Sequence, residues 1–237
     1  MSAKNITIYP YAGLGHADHG WLDARHHFSF AGYYNPDRMG FGSLLVINDD
    51  TIAAKRGFGT HPHDNMEIIT YVRQGAITHQ DSMGNSGRTE AGDVQVMSAG
   101  TGVRHSEHNM ENEATRLYQI WITPNVRNVN PRWEAKAFPK IPVIDQLALL
   151  VSGMPEHADK EALFIYQDAA IYGGKLKAGT TLTQTIKHQA YVLASVGSFS
   201  INGVSMKQGD GAEVLGEKNL TITAGTDAEV LVIDVPA

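Results

Sequence analysis

The most informative segment of the sequence is Gly57-Phe58-Gly59-Thr60-His61-Pro62-His63. Residues two apart on an extended chain project from the same face, so His61 and His63 can bind one metal ion together. Pro62 favours the extended state because it restricts His61 to β or polyproline conformations. Since proline cannot donate a backbone hydrogen bond, we expect this segment at a sheet edge or a bulge.

A second pair of candidate metal ligands follows in Arg104-His105-Ser106-Glu107. On an extended chain His105 and Glu107 share a face, and two neighbouring strands would then supply three imidazoles and one carboxylate to a single ion. With a divalent ion this donor set carries a net charge of about +1, which suits an anionic ligand with two oxygens. Glu67 would share the face of His63 if the extension is unbroken, so spacing leaves both glutamates open as the oxygen ligand.

The other histidines of the first half are given less direct roles. Four of them, expected in loops or in packing, are His16, His19, His26 and His27. His79 lies on the way into a turn, where we expect a polar residue at the end of a strand. His108 follows Glu107 directly and would point to the opposite face of the same strand.

Most apolar segments are short, rich in β-branched residues and bounded by Gly, Asn, Asp or Pro, which is typical of strands. Clear examples are residues 44–47, 68–72, 117–122 and 191–196. Turn sequences such as Asn202-Gly203 separate these segments. Residues 155–163 are considered for a helix, and we predict a loop or one short helix there. The chain is therefore predicted to be all-β, with strands that close into barrels or sandwiches.

Two barrels are predicted from a break and a repeat in the sequence. Pro and Asn residues interrupt the strand pattern between residues 124 and 142, as in a linker. On each side of this break, a Tyr-Val strand is followed by a turn and a Gly-Asp corner, Gly92-Asp93 in the first half and Gly209-Asp210 in the second. The repeat indicates two domains, residues 1–135 and residues 136–237.

The second domain is predicted to lack a metal site. Aligning the two Tyr-Val strands without gaps places Thr181 and Thr183 opposite the two histidines of the first segment. Aligning the two Gly-Asp corners places Ile222 and Ala224 opposite the histidine and the glutamate of the second. None of these four side chains is a usual metal ligand.

Composition excludes several classes of function. The 237 residues are 42% hydrophobic and 19% charged, as in an ordinary folded protein. The formal net charge of −6 favours neither direct binding of nucleic acid nor binding to an anionic membrane. There is no cysteine, so nitrogen and oxygen must hold any metal. No apolar run reaches about 18 residues and the start lacks the apolar stretch of a signal peptide, so we expect a cytoplasmic protein.

The segments around the two ligand pairs resemble the cupins. The first cupin motif is matched from Gly57 to Gly75, and the second from Gly92 to Asn109, with Ser98 where the pattern has a proline. Further segments look like those of the pirin branch. These are His27-Phe28-Ser29-Phe30-Ala31, Asp81-Ser82-Met83-Gly84-Asn85-Ser86-Gly87 and Pro131-Arg132-Trp133. The resemblance covers nearly the whole chain and implies a bicupin, two double-stranded β-helix (jelly-roll) barrels packed together.

The resemblance also implies a site. It assigns His61, His63, His105 and Glu107 as the ligands of one divalent transition metal. The expected metal is Fe(II), with Cu, Ni, Zn, Mn or Co as alternatives. Glu107 is the expected catalytic base, and Glu67 is the alternative base beside the ligands.

The activity that the resemblance implies is that of a dioxygenase. It would open the central ring of a flavonol such as quercetin and release carbon monoxide, with the flavonol and dioxygen as its substrates. The alternative is a non-enzymatic regulator that binds another protein, as some pirins do. A metal-dependent sugar isomerase ranks last, because no cluster of Lys and Arg near His61 suggests a phosphorylated sugar.

Overall fold

The computed structural model describes residues 5–237. Apart from two 3-10 turns, Tyr11–Gly13 and Pro155–His157, the regular elements there are strands, which confirms the all-β class. In chain order the strands are β1 (Ile6–Tyr9), β2 (Gly15–Asp18), β3 (Leu22–His26), β4 (Leu44–Ile52), β5 (Gly57–His63), β6 (Glu67–Gln74), β7 (Ala76–Asp81), β8 (Ser86–Glu90), β9 (Val94–Ser98), β10 (Val103–His108), β11 (Thr115–Ile122), β12 (Arg132–Lys136), β13 (Ala148–Ser152), β14 (Leu163–Phe164), β15 (Ala170–Leu176), β16 (Thr181–Thr185), β17 (Gln189–Val196), β18 (Ser198–Ile201), β19 (Val204–Lys207), β20 (Gly211–Val214), β21 (Asn219–Ala224) and β22 (Ala228–Val235).

The described strands belong to two compact units. The N-terminal barrel consists of Gly15–Phe138 and Leu163–Gln167, and the C-terminal barrel consists of residues 5–14, Pro139–Ala162 and Asp168–Ala237. Residues 5–14 join the C-terminal barrel because β1 pairs with β20 along its whole length. Our division at residues 135 and 136 treats the domains as continuous halves, and as a boundary between the two cupin domains it stays a prediction.

The N-terminal barrel is built from two antiparallel sheets. One has the order β12-β9-β6-β11-β4-β3-β2 and the other has the order β5-β10-β7-β8. Burial alternates along β10, where Val103, His105 and Glu107 are buried and Arg104 is exposed. This alternation confirms that His105 and Glu107 share a face. Pro62 lies on β5, an edge strand of its sheet, as the missing amide hydrogen predicts.

The C-terminal barrel repeats the same plan strand for strand. Its sheets contain β1-β20-β17-β22-β15-β13 and β16-β21-β18-β19. The order β9-β6-β11-β4 of the first barrel therefore corresponds to β20-β17-β22-β15 of the second, and β5-β10-β7-β8 corresponds to β16-β21-β18-β19. The predicted turn Asn202-Gly203 joins β18 to β19, with positive φ angles of 48° and 84° that suit a two-residue hairpin turn.

The interior of the C-terminal barrel is apolar. The gap-free alignment of the two Tyr-Val strands was wrong by one residue at β16. Thr181 and Thr183 are exposed on β16, whereas Leu182 between them is buried in the core. Ile222 and Ala224 of β21 also lie in this core, as their apolar character requires. The error arose because the alignment carried no gap, and a shift of one residue moves every side chain to the other face of a strand.

Two further observations complete the fold. Residues 155–163 form only the 3-10 turn Pro155–His157 before β14 begins, so no α-helix develops there. Among residues 5–237, no helix has the length and apolar character needed to cross a bilayer.

Candidate metal centre

Three imidazoles meet inside the N-terminal barrel, where β5 pairs with β10. His61 lies directly opposite His105 in the antiparallel register, and His63 lies opposite Val103. The ring of His105 is 4.5 Å from that of His61 and 5.0 Å from that of His63, centroid to centroid. The Nε2 atoms of His61 and His105 are 3.1 Å apart. The predicted strand pair thus brings the three predicted histidines together.

The protonation of these imidazoles suits metal binding. The Nδ1 atom of His61 is 2.7 Å from the carbonyl oxygen of Gly59 and donates to it, which leaves the lone pair of His61 on Nε2. Burial, reinforced by His61 and His79, lowers the pKa of His105 to about 3. Burial, reinforced by His105 and His61, lowers the pKa of His63 to about 4. Both rings are therefore neutral near pH 7, the form in which imidazole binds a metal.

Glu107 reaches the same interior within a network of neutral donors. Its Oε1 accepts hydrogen bonds from Gln95 Nε2 at 2.7 Å and from Thr70 Oγ1 at 3.2 Å. Its Oε2 accepts from Gln119 Nε2 at 2.8 Å. Three donors orient the carboxylate without neutralising it, because none of them carries a charge. The negative charge of Glu107 thus remains available to a cation.

A fourth histidine, His79, lies beside the predicted ligands. Among the described residues, ligand atoms lie within 4.8 Å of one another in two clusters, His61 with His63 and His105, and His79 with His105 and Glu107. His105 belongs to both clusters, whereas Glu107 is grouped with His105 and His79 only. All four predicted ligands line one cavity. The sequence analysis placed His79 at a strand end, but its side chain is fully buried. The signal was its alternation with Asp81 on β7, the same spacing as in the two ligand pairs.

Glu67 faces away from this centre. Ile68 lines the central cavity and Thr70 contacts Glu107, so the even-numbered residues of β6 point inward and Glu67 points outward. Its Oε2 accepts a hydrogen bond from Ser98 Oγ at 2.7 Å. The assumption of unbroken extension was wrong, because a turn with Asn65 at a φ of 44° separates His63 from β6. Glu67 is therefore not a second base beside the ligands.

The centre opens into a small cavity of about 90 Å³. Its apolar wall is formed by Leu22, Phe30, Phe58, Ile68 and Trp121. The indole of Trp121 packs edge-to-face against His63, with ring centroids 4.9 Å apart. This wall shields the buried side of the centre, where His105 lies, from water, and the low dielectric strengthens electrostatic interactions there.

Three polar residues line another part of this cavity, and sequence analysis did not place any of them there. His26 Nδ1 is 2.7 Å from Asn48 Oδ1, and both side chains line the cavity together with Asp50. Burial, reinforced by the carboxylates of Asp49 and Glu107, raises the pKa of Asp50 well above its usual value. A protonated carboxyl group in this position can donate a hydrogen bond to a molecule in the cavity.

The donor set fits one divalent metal ion. Three neutral imidazoles and one carboxylate suit borderline ions such as Fe(II), Ni(II) or Zn(II), and the cavity beside them leaves space for a further ligand. The fold and this cluster together define a two-barrel cupin with a single candidate metal site.

Two parts of the chain match known protein families. Residues 10–122 match the family Pirin, and residues 149–235 match the quercetinase C-terminal cupin domain. Because these matches cover most of its length, the chain belongs to the pirin family. A Pseudomonas aeruginosa protein, whose name assigns quercetin 2,3-dioxygenase activity provisionally, is 54% identical over 97% of this chain and 99% of its own length. The quercetin 2,3-dioxygenase of Escherichia coli K12 is 46% identical over 94% of this chain and 95% of its own length.

A solved structure supports the same assignment. The crystal structure of a bacterial pirin from Escherichia coli in complex with nickel(II) superposes with a TM-score of 0.89 at 42% sequence identity. The match covers 98% of this chain and 99% of that chain. This similarity confirms the bicupin fold.

Proposed function

We propose that this protein is a metal-dependent dioxygenase that cleaves the central ring of flavonols such as quercetin and releases carbon monoxide. The observation that carries the proposal is the cluster of His61, His63 and His105, two of them with strongly lowered pKa values, beside the carboxylate of Glu107 at an apolar cavity. A full-length relative named quercetin 2,3-dioxygenase supports it.

The proposed metal ligands are His61, His63, His105 and Glu107, and the proposed metal is Fe(II). When bound, the metal would act as a Lewis acid on an anionic oxygen of the substrate. The imidazoles bring no charge of their own, so the protein contributes a single negative charge, that of Glu107. The site consequently keeps a net positive charge that attracts a deprotonated flavonol.

Glu107 is the proposed base. A flavonol binds as an anion only after its 3-hydroxyl group has lost a proton, and we assign the transfer of this proton to a carboxylate oxygen of Glu107. Gln95, Gln119 and Thr70 hold that carboxylate from the barrel side and fix its orientation. Glu67, the other buried glutamate among the described residues of the N-terminal barrel, lies on the face of β6 that is turned away from Glu107 and has no role in this step.

The apolar wall determines what else the cavity admits. Phe30 packs edge-to-face on Trp121 with ring centroids 5.4 Å apart, and Trp121 packs in the same way on His63. These rings supply flat apolar surface of the kind that aromatic ligands contact. They also exclude water from the reacting oxygen, so the electron-rich ring meets dioxygen in an apolar environment.

The test is turnover of quercetin by protein loaded with Fe(II), with dioxygen uptake and carbon monoxide release measured together. We expect the natural sequence to take up dioxygen and release carbon monoxide in equal amounts. Glu107→Gln should turn over quercetin about 100-fold more slowly, or slower still. Glu67→Gln is the matched control and keeps full activity, because its side chain faces away from the cavity. Metal-loaded protein that leaves every tested flavonol unchanged contradicts the proposal.

One observation favours a second function, that of a non-enzymatic regulator which binds another protein. The cavity of about 90 Å³ is small beside the roughly 300–1,000 Å³ of pockets that hold drug-sized ligands. Side chains at the cavity wall must therefore move before a flavonol can bind there. A metal ion with a purely structural role can bind without such movement. The regulator binds metal but consumes no dioxygen, so the same assay distinguishes the two functions.

A further inference from the structure

His79 is held by residues from segments that the proposed reaction does not use. It lies on β7 opposite Glu107 of β10, fully buried. The indole of Trp133 stacks on its ring with centroids 5.0 Å apart and an angle of 7° between the planes. Gly87 permits this stacking, because a Cβ atom there would clash with Trp133. The ring of His79 therefore has one fixed orientation.

Asp81 determines which nitrogen of His79 carries the proton. Its Oδ2 is 3.0 Å from His79 Nε2 and also accepts a hydrogen bond from Asn85 Nδ2. Its Oδ1 accepts hydrogen bonds from the backbone amides of Met83 and Asn85. Because an ionised carboxylate only accepts hydrogen bonds, Nε2 of His79 must be the donor. In neutral His79 the lone pair then lies on Nδ1.

Nδ1 of His79, which carries this lone pair, contacts His105. The Nδ1 atoms of His79 and His105 are 3.4 Å apart, and one of them must carry hydrogen for the contact to be attractive. His79 offers the lone pair, so His105 supplies the Nδ1 hydrogen. The lone pair of His105 is consequently placed on Nε2, 3.1 Å from Nε2 of His61, which carries a lone pair of its own because its Nδ1 donates to Gly59. Two lone pairs this close repel each other without a cation between them, so this tautomer of His105 is the one that a bound metal stabilises.

We propose that Asp81 and His79 form a hydrogen-bond relay that fixes the metal-binding tautomer and orientation of His105. His79 is thus a positioning residue and not a ligand, since Asp81 and His105 occupy both of its nitrogens. The relay gives a shared role to Asp81, Gly87 and Trp133, which belong to two segments that the sequence analysis singled out. It rests on the proposed role of His105 as a metal ligand.

Three substitutions test the relay through the affinity for Ni(II), measured by competition with a chelator. His79→Phe keeps the ring but removes both nitrogens, and we expect a 10- to 100-fold loss of affinity, as is usual when a partner behind a metal-binding histidine is removed. Asp81→Asn should lose as much, because its amide would donate to His79 Nε2 and reverse the relay. His79→Asn should recover part of the loss, since its amide oxygen can accept from His105 Nδ1. His108→Phe, on the other face of β10, is the control and keeps the affinity.

A second readout needs no metal. Nitrogen-15 NMR of the imidazoles in the metal-free protein should show His105 protonated on Nδ1 in the natural sequence, and on Nε2 in Asp81→Asn. His105 protonated on Nε2 in the natural sequence overturns the relay, whether or not the protein binds metal. Unchanged Ni(II) affinity in His79→Phe also overturns it. X-ray absorption spectroscopy provides a further check. If it counts one imidazole fewer around Ni(II) in His79→Phe than in the natural sequence, His79 is a metal ligand and the relay is overturned.

Discussion

One buried glutamate of the N-terminal barrel faces its interior and another faces away from it. Glu107 accepts hydrogen bonds from three neutral donors on the inside of the barrel. Glu67 lies on the outer face of β6, where burial raises its pKa to about 7 despite hydrogen bonds from Ser98 and the backbone of Tyr166. The proposed ligand on β10 therefore faces the interior of the barrel, whereas Glu67 on β6, which is protonated below about pH 7, faces away from it.

Glu67 should make the stability of the protein depend on pH. Its folded pKa of about 7 lies above the model value of 4.5, so the folded state retains a proton that the unfolded state has lost. Stability is highest below pH 4.5 for this group and falls as pH rises towards 7, by at most about 3 kcal/mol. Glu67→Gln removes this dependence, because glutamine does not titrate.

Denaturant unfolding of both proteins at pH 5 and pH 8 measures the effect. We expect the natural sequence to lose about 2–3 kcal/mol more than Glu67→Gln between the two pH values. Identical pH dependence in the two proteins would mean that the pKa of Glu67 is not raised in the folded state.

Strands β5 and β10 set the spacing of the imidazoles. Gly57 of β5 lies so close to β10 that an added Cβ atom would clash with the backbone of Glu107 and His108. Gly57→Ala should therefore push the two strands apart and separate His61 from His105. We expect a loss of about 1–3 kcal/mol in stability and a weaker affinity for Ni(II).

Gly59 supplies a matched control on the same strand. No atom lies within 4 Å of a Cβ built on it, so Gly59→Ala should change neither stability nor metal affinity appreciably. Thermal unfolding measures the stability of Gly57→Ala and Gly59→Ala, and titration with Ni(II) measures their metal affinity. Equal behaviour of the two variants would show that the close approach of Gly57 to β10 does not position the histidines.

The elements of the centre were only partly predictable from sequence. Alternation along extended segments correctly placed His61 with His63 and His105 with Glu107, because that periodicity is local. His79 was missed because its importance depends on β7 lying next to β10, a pairing that no local pattern reveals. Glu67 was misplaced because one residue with positive φ, Asn65, ends the extension before β6 begins.

The whole molecule is a structural repeat whose two barrels have different interiors. In the C-terminal barrel, Leu182 occupies an inward position of β16, the counterpart of β5, and Ile222 lies inward on β21, the counterpart of β10. The interior there is apolar, while the N-terminal barrel contains the polar cluster. Sequence comparison detected the repeat through its turns but missed its register by one residue. A turn signature fixes where a chain reverses, not which face each side chain takes.

The first strand shows a second limit at this scale. β1 takes the place in the C-terminal barrel that β12 takes in the N-terminal one, each beside the equivalent strand, β20 or β9. A four-residue strand near the start of the chain carries no pattern that names a partner so far along the sequence. Its pairing is a long-range contact, which hydrophobic periodicity does not encode.

The central claim is that one divalent metal ion binds to this chain through His61, His63, His105 and Glu107. Elemental analysis after loading with Fe(II) without oxygen, and removal of unbound metal, tests it directly. We expect one metal ion per chain in the natural sequence and in the control His157→Gln, and almost none in His61→Gln and His105→Gln. Two ions per chain, or one ion retained when His61 and His105 are both replaced, would contradict the claim.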